Sequence, residues 1–262
     1  MSEIAQTSIH KTAIVSRGAE LAPDVIVGPG AIIEGGATIE SGCRIGSYSL
    51  IASGTHLKKG VEVSHCAVVG SKPQDLKFGG EESKLVVGEN TIIREFATLN
   101  RGTVERGETT IGDNCLLMTY SHVAHDCVLG SNVILANSVN LAGHIEIDDF
   151  AIIGGVVPIH QFVRIGKHAM VGGGFRVPKD VCPYALVGGY PLKVAGLNLI
   201  GLRRRKFSRE LIRTLQEAFK ILFFSDINTT QALEKIESEI EPVKELTELV
   251  EFVRKSERGV TK

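Results

Sequence analysis

The sequence predicts a solenoid of short parallel strands wound into a three-sided prism and followed by helices, and three observations carry that prediction. From Ile9 to Val177 in steps of six, 26 of 29 positions are Ile, Leu or Val, where composition alone would place about eight. Four residues after an anchor the side chain is usually small: Ala13, Ala19, Ala31, Ala37, Cys43, Ser49, Thr55 and Ala67, then Thr91, Ala97, Thr103, Cys115, Ser121 and Cys127. The 262 residues include 29 Gly but only 10 Phe, 4 Tyr and no Trp, so something smaller and more regular than a conventional aromatic core fills the interior.

A period of six is neither helical nor a simple strand alternation. It fits a short strand plus a corner with one aliphatic side chain inward, and three such units make a coil of about 18 residues. Parallel strands stack about 4.8 Å apart, so roughly nine or ten coils give a prism about 45 Å long. Glycine enrichment is expected from corners with positive φ. The five cysteines, Cys43, Cys66, Cys115, Cys127 and Cys182, form no C-x-x-C pair and read as reduced thiols, which favours the cytosol, and those at the small positions, Cys43, Cys115 and Cys127, read as interior fillers.

The anchors fail at Asp75, Glu81 and Glu105 while the register survives. Val69 and Val87 are three anchor steps apart, as if one coil were replaced by a loop over 72–84; Leu99 and Ile111 are two steps apart, with 101–110 bulging between. Loops on a rigid repeat are where binding groups sit, and Gln74, Asp75 and Lys77 suit that use. After Val177 the pattern becomes helical. Phe207, Leu211, Leu215, Phe219 and Leu222 follow Ser208 as N-cap, Leu233, Ile236 and Ile240 follow Thr230, and Leu246, Leu249, Phe252 and Val253 form a third stripe. The expected division is a solenoid domain at 1–189 and a helical domain at 190–262 that covers the open strand edges.

Lys plus Arg total 29 against 30 Asp plus Glu, a net charge of -1 that gives no general reason to expect nucleic acid. No run of 18 apolar residues occurs, and the first residues lack a basic region followed by an apolar stretch, so neither a membrane span nor export is expected. Arg203, Arg204, Arg205, Lys206 and Arg209 form one basic segment. Positive charge at a helix start opposes the macrodipole, which favours an anionic partner there. The glycines near Gly172 lack the Lys-Ser/Thr of a nucleotide loop.

Residues 18 apart should stand in one column. His125, Gly143 and Gln161 form such a column, Asp126, His144 and Phe162 form its neighbour, and His122 and His160 flank them. His125 beside Asp126 suits a general base oriented by a carboxylate. Gly143 above it would expose a backbone N–H to a reacting carbonyl, an oxyanion hole, and the pair suggests acyl transfer. A competing reading gives His122, His125 and His144 to zinc with one open position. A scaffold without catalysis is the remaining alternative, and the loop 72–84 and helical end argue against it.

The segments PQDLKFGGE, REFATLNRGT, SHVAHDCVLG, LAGHIEIDDFAIIGG, IHQFVRIG and GLRRRKFSRE closely resemble the UDP-N-acetylglucosamine O-acyltransferases that begin lipid A synthesis, over nearly the whole chain. The later N-acyltransferases of that pathway carry a domain ahead of their hexapeptides, whereas here the repeats begin by Ile9. The resemblance implies a left-handed parallel β-helix, a cytoplasmic homotrimer with active sites between subunits, and no metal or diffusible cofactor. It implies that the 3-hydroxyl of UDP-N-acetylglucosamine attacks the thioester of an (R)-3-hydroxyacyl group on acyl carrier protein. His125 would remove the proton, Asp126 would orient His125, and the Gly143 amide would hold the thioester oxygen.

By the same resemblance Gln74, Asp75, Lys77, His122, His144, His160 and Gln161 contact substrate, Asn198, Arg204 and Arg205 contact the nucleotide or its phosphates, and the acidic carrier protein meets the basic segment. Gly155 and Gly173, also 18 apart, would open a groove for the acyl tail. The family has an acidic residue two places after Asn198; Ile200 stands here, so one nucleotide hydrogen bond is expected to be missing. Transfer to a 3-amino sugar, transfer from acetyl-CoA, and a zinc enzyme like the gamma-class carbonic anhydrases are the alternatives.

Overall fold

The computed structural model describes residues 8–262. Residues 1–7, where the expected solenoid domain and the segment read for export begin, lie outside the described residues. Two-residue strands that end on an anchor, such as Ile14–Val15 and Ile32–Ile33, alternate with two-residue turns. They stack into three sheets of 11, 8 and 8 strands. We call these face one, beginning at Ser8–Ile9, face two, beginning at Ile14–Val15, and face three, beginning at Glu20–Leu21. The strands run parallel except Lys193–Leu197, which lies antiparallel on Ala185–Gly188 at the end of face one.

The alternation of large and small inward positions explains the packing. Ile33, Ile39, Ile51, Leu57, Ile93, Leu99, Leu117 and Leu135 are fully buried, and so are Ala31, Ala37, Cys43, Ala67 and Ala97 between them. Each buried Ile or Leu contributes about 1.5–3 kcal/mol, and the small partner leaves room for it.

Above the loops, successive strands pair one coil apart in sequence, as Leu116 with Ile134 and Ile134 with Ile152, an offset of 18. Across the first loop the offset is 30, Val68 with Thr98, and across the second it is 24, Thr98 with His122. The first loop therefore adds two repeat units to its corner and the second adds one. No coil is replaced: Lys84–Val87 pairs directly with Thr55–Leu57. The expectation of a lost coil fails because insertions in whole repeat units leave the anchor comb unchanged.

Glycine has two uses rather than one. Gly18, Gly36, Gly42 and Gly60 hold the corner position at positive φ, but farther along that position carries side chains, with Phe96 at 59°, Asp126 at 60°, His144 at 61° and Phe162 at 63°. Gly46 and Gly112 serve close approach instead, since a Cβ there would stand 2.6 and 2.5 Å from the next coil's backbone. Cys43, Cys115 and Cys127 are buried fillers whose thiols desolvation pushes up to about 11, 11 and 12. Cys182 is buried as well, whereas Cys66 is a partly exposed corner residue at φ 57° and not a filler.

Four helices follow: α1 at Leu199–Arg204, α2 at Arg209–Phe224, α3 at Thr229–Glu239 and α4 at Lys244–Arg254. Ser208 caps α2 through the Leu211 N–H, and Leu215, Phe219 and Leu222 are its buried face. α3 is capped by Asn228 in a capping box with Gln231, slightly before the expected Thr230. Arg203 and Arg204 occupy the last turn of α1 and Arg205 its C-cap. Positive charge complements the dipole there, so the conflict expected at a helix start holds for Arg209 alone. α2 packs on the Lys193–Leu197 strand and covers that edge. Among the described residues no helix is long and apolar enough to cross a membrane.

Candidate active site

Five successive corners between faces two and three lie one above another: the loops 72–83 and 101–107, then the tight corners 124–127, 142–145 and 160–163. His125 sits in the middle one. Its Nδ1 meets Asp126 Oδ2 at 2.8 Å. Asp126 is fully buried at a corner, and desolvation raises its pKa. The opposing hydrogen bonds from Thr103 and His125 and the nearby His144 outweigh that and hold the carboxyl below its ordinary range. An ionised Asp126 accepts a hydrogen bond from Nδ1–H, so the lone pair of His125 is at Nε2.

Gly143 lies directly over this ring. A Cβ at 143 would stand 2.6 Å from His125 Cε1 and 2.8 Å from Nε2, so only glycine leaves the imidazole where it is. The N–H at this corner position lies outside the sheet ladder, and in other coils a carboxylate takes it. Glu34 accepts from Ser53, Asp113 from Glu89, and Asp149 from Ser131. Among the described residues the Gly143 N–H donates to no group. Base and bare amide thus occur on adjacent coils of one edge, the arrangement acyl transfer requires.

His144 stacks on Phe162 at 4.6 Å and stands edge-on to His125 at 5.1 Å. Its Nε2 is 3.4 Å from Glu105 Oε2 and 3.7 Å from Asp126 Oδ2. His122 lies on the strand beside the corner with Nδ1 2.7 Å from Thr98 Oγ1, and burial lowers its pKa. His160 Nδ1 lies 3.0 Å from Gln161 O and 3.1 Å from Arg258 Nη2, and the Gln161 side chain is exposed next to it. Thr103, read from the sequence only as a small interior residue, donates its N–H to Asp126 Oδ1 at 2.9 Å and its hydroxyl to Oδ2 at 2.6 Å.

His125, Asp126 and His144 offer ligand atoms within 4.8 Å of one another. His122, which the zinc reading needs, is outside that trio and engaged by Thr98. Both Asp126 oxygens already accept hydrogen bonds, and Oδ2 faces Nδ1 at hydrogen-bond distance. That donor set suits a base and its orienting carboxylate better than a cation.

The other expected site residues lie apart from His125. Gln74, Asp75 and Lys77 are on the 72–83 loop of the same edge, where Asp75 Oδ1 accepts the Lys77 N–H at 2.9 Å and Gln74 and Lys77 are exposed. Asn198 is buried, caps α1 through the Gly201 N–H and donates to His168 O at 3.0 Å. Arg205 lies 4.0 Å over the Phe150 ring, which stacks on His168 at 4.8 Å. Asn198 and Arg205 are therefore beside the edge between faces three and one, with Arg204 and Ile200 exposed on α1. Gly155 and Gly173 stack on the third edge, between faces one and two, where a Cβ at 173 would stand 3.1 Å from Gly155 O.

Comparison with known proteins agrees with this architecture. Residues 180–261 match the model of domain 2 of UDP N-acetylglucosamine O-acyltransferase, and residues 108–143 match the bacterial transferase hexapeptide model of six repeats. Curated acyl-(acyl-carrier-protein)–UDP-N-acetylglucosamine O-acyltransferases are similar along most of the chain. That of Verminephrobacter eiseniae is 52% identical over 83% of both chains, and that of Thiobacillus denitrificans 43% over 97% of this chain and 98% of its own. The solved structure of LpxA from Acinetobacter baumannii matches with TM-score 0.94 and 41% identity, covering 97% of this chain and 99% of that one. LpxA from Bacteroides fragilis gives 0.91 and 41% with complete coverage of both. The chain belongs to the acyl-(acyl-carrier-protein)–UDP-N-acetylglucosamine O-acyltransferases, and its fold is the left-handed parallel β-helix with a helical C-terminal end.

Proposed function

We propose that the chain transfers an (R)-3-hydroxyacyl group from acyl carrier protein to the 3-hydroxyl of UDP-N-acetylglucosamine, the first step of lipid A synthesis. His125 Nε2 takes the hydroxyl proton as the sugar oxygen attacks the thioester carbonyl. The Gly143 N–H donates to the oxyanion, and buried Asp126 stabilises the imidazolium through Nδ1–H. Collapse of the tetrahedral intermediate breaks the C–S bond, and His125 returns the proton to the leaving thiolate of the carrier. No metal is needed in this sequence of steps. The observation that carries it is the closeness of His125 to the bare backbone of Gly143, where a single added carbon would stand 2.8 Å from Nε2.

We infer that the chain works as a homotrimer in the cytoplasm, and the placement of the remaining site residues supports the association of copies. Gln74, Asp75 and Lys77 share an edge with His125, while Asn198 and Arg205 lie beside a second edge and Gly155 and Gly173 line a third. One prism cannot turn three edges to one substrate, whereas a closed ring brings one copy's edge to another's. Tyr48, Phe96, Tyr120 and Val156 add an exposed apolar ridge along the edge between faces one and two, which suits burial against another copy. The solenoid at 1–189 then supplies the chemistry. The helical domain at 190–262 supplies nucleotide contacts, and its exposed Arg203, Arg204, Arg205, Lys206 and Arg209 meet the acidic carrier protein.

The deciding assay supplies UDP-N-acetylglucosamine with (R)-3-hydroxyacyl carrier-protein thioester and, in parallel, with acetyl-CoA. Formation of the 3-O-acyl product from the carrier thioester, undiminished by chelator, is expected. Acetylation from acetyl-CoA with no reaction of the carrier thioester would overturn the proposal.

A further inference from the structure

The loop 101–107 opens one corner of the prism directly beneath Asp126. Many uninterrupted corners satisfy their backbone in two repeated ways. The N–H four residues after an anchor turns back to the carbonyl three residues earlier, as Ala97 does to Arg94, Ser121 to Met118 and Val139 to Ala136. The N–H three residues after an anchor donates to the preceding coil's corner carbonyl, as His144 does to His125 and Tyr120 to Glu95. At this corner both bonds are redirected. Thr103, four after Leu99, gives its N–H and hydroxyl to the two oxygens of Asp126, at 2.9 and 2.6 Å. Asp126, three after Val123, donates its own N–H to Thr109 Oγ1 at 2.9 Å. Both threonines are buried, Thr103 with 4% exposure and Thr109 with none.

We infer that the inserted loop 101–107 is a device for aiming the base, and that Thr103 is a positioning residue for the transfer. A donor on each oxygen fixes the plane of the Asp126 carboxylate about its Cβ–Cγ bond. That fixes the direction in which Oδ2 meets His125 Nδ1, and hence where Nε2 points. The inference rests on the reading of His125 as the base. It also gives the insertion a purpose: in a closed corner the Thr103 N–H could turn back to Asn100 O, as Ala97 does to Arg94, and the hydroxyl would be taken up by neighbouring backbone, as that of Thr91 is by Gly112 O. The titratable groups around Asp126 are His125 in its own corner, His144 in the coil above, and the buried thiol of Cys127. Glu105 of the same loop faces His144, with Oε2 3.4 Å from Nε2.

The test compares Thr103→Val, which keeps the branched shape and the N–H but removes the hydroxyl, with Thr103→Ser, which keeps both donors. Loss of a charge-assisted bond to the carboxylate is expected to lower kcat by roughly 10-fold or more, with KM for both substrates unchanged. The acid limb of kcat/KM moves to higher pH in Thr103→Val, because an Oδ2 relieved of one donor is more basic and holds the imidazolium more tightly. Thr103→Ser retains wild-type behaviour in both respects. Histidine-selective NMR of the free protein follows the same change without substrate: the His125 titration moves up in Thr103→Val and stays in place in Thr103→Ser. Wild-type kcat and acid limb in Thr103→Val, a lowered kcat with an unmoved titration, or a serine variant as impaired as the valine would overturn the inference. Wild-type protein inactive on the carrier thioester would instead defeat the proposed function, and the histidine titration would still judge Thr103.

Discussion

Gly143→Ala isolates the contact on which the chemistry turns. The added Cβ would stand 2.6 Å from His125 Cε1, 2.8 Å from Nε2 and 3.2 Å from Nδ1. Carbon atoms in ordinary contact are about 3.5–4.0 Å apart, so the ring must retreat by about 1 Å. It cannot retreat freely, because Nδ1 is held to Asp126 at 2.8 Å and Asp126 is itself held on both oxygens. A displacement of about 1 Å from attack geometry costs on the order of 100-fold in rate, equivalent to about 2.7 kcal/mol of barrier. The backbone does not resist the change, since Gly143 is not among the positive-φ residues. The variant should therefore melt near wild type while kcat falls on the order of 100-fold. Steady-state transfer from the carrier thioester, with a thermal melt on the same sample, measures both. Near-normal turnover in a folded Gly143→Ala protein would refute the geometry.

His125→Ala should leave the fold intact, since its ring is a corner group, yet lower turnover on the order of 100-fold or more; equal turnover would make His125 a bystander. Gly173→Met fills the stacked-glycine edge next to Gly155 and should shift preference to shorter acyl chains in a mixed-thioester competition, while an unchanged profile would remove that groove from the account. His168 is buried between Phe150 and Tyr184, and desolvation, with Lys167 and Arg205 nearby, pushes its pKa down from 6.5 to about 4. On acidification the unfolded chain takes this proton first, so its contribution is complete above about pH 6.5 and is lost as the pH falls toward about 4. Urea unfolding at about pH 7.5 and about pH 5 should show a smaller decline in His168→Gln than in wild type, and identical declines would contradict it.

The solenoid is legible in the sequence because every coil repeats one steric demand, an aliphatic anchor facing a small partner. The column that joins His125 to Gly143 is legible for the same reason: above the insertions the strand offset is 18, as in Thr110 with Val128 and Val128 with Glu146 on the adjoining face. The size of the first insertion is not legible. Two repeat units added to a corner and the loss of a coil give the same comb, and strand pairing alone separates them. Thr103 and Thr109 are hidden differently. They stand where small residues normally fill the interior, and the direction of their hydroxyls depends on the path of the 101–107 loop. Asn198 is legible in one respect less: that it caps α1 through the Gly201 N–H and ties down the His168 carbonyl follows only from the fold.

The shared reach of His125 and the Gly143 amide is the central geometric claim, and a crystal structure with the 3-O-acylated UDP-sugar bound tests it most directly. The ester carbonyl oxygen should accept from the Gly143 N–H at about 3 Å, with the sugar O3 at a similar distance from His125 Nε2. An ester bound elsewhere, with its carbonyl turned away from residue 143 or its O3 out of reach of His125, would contradict it.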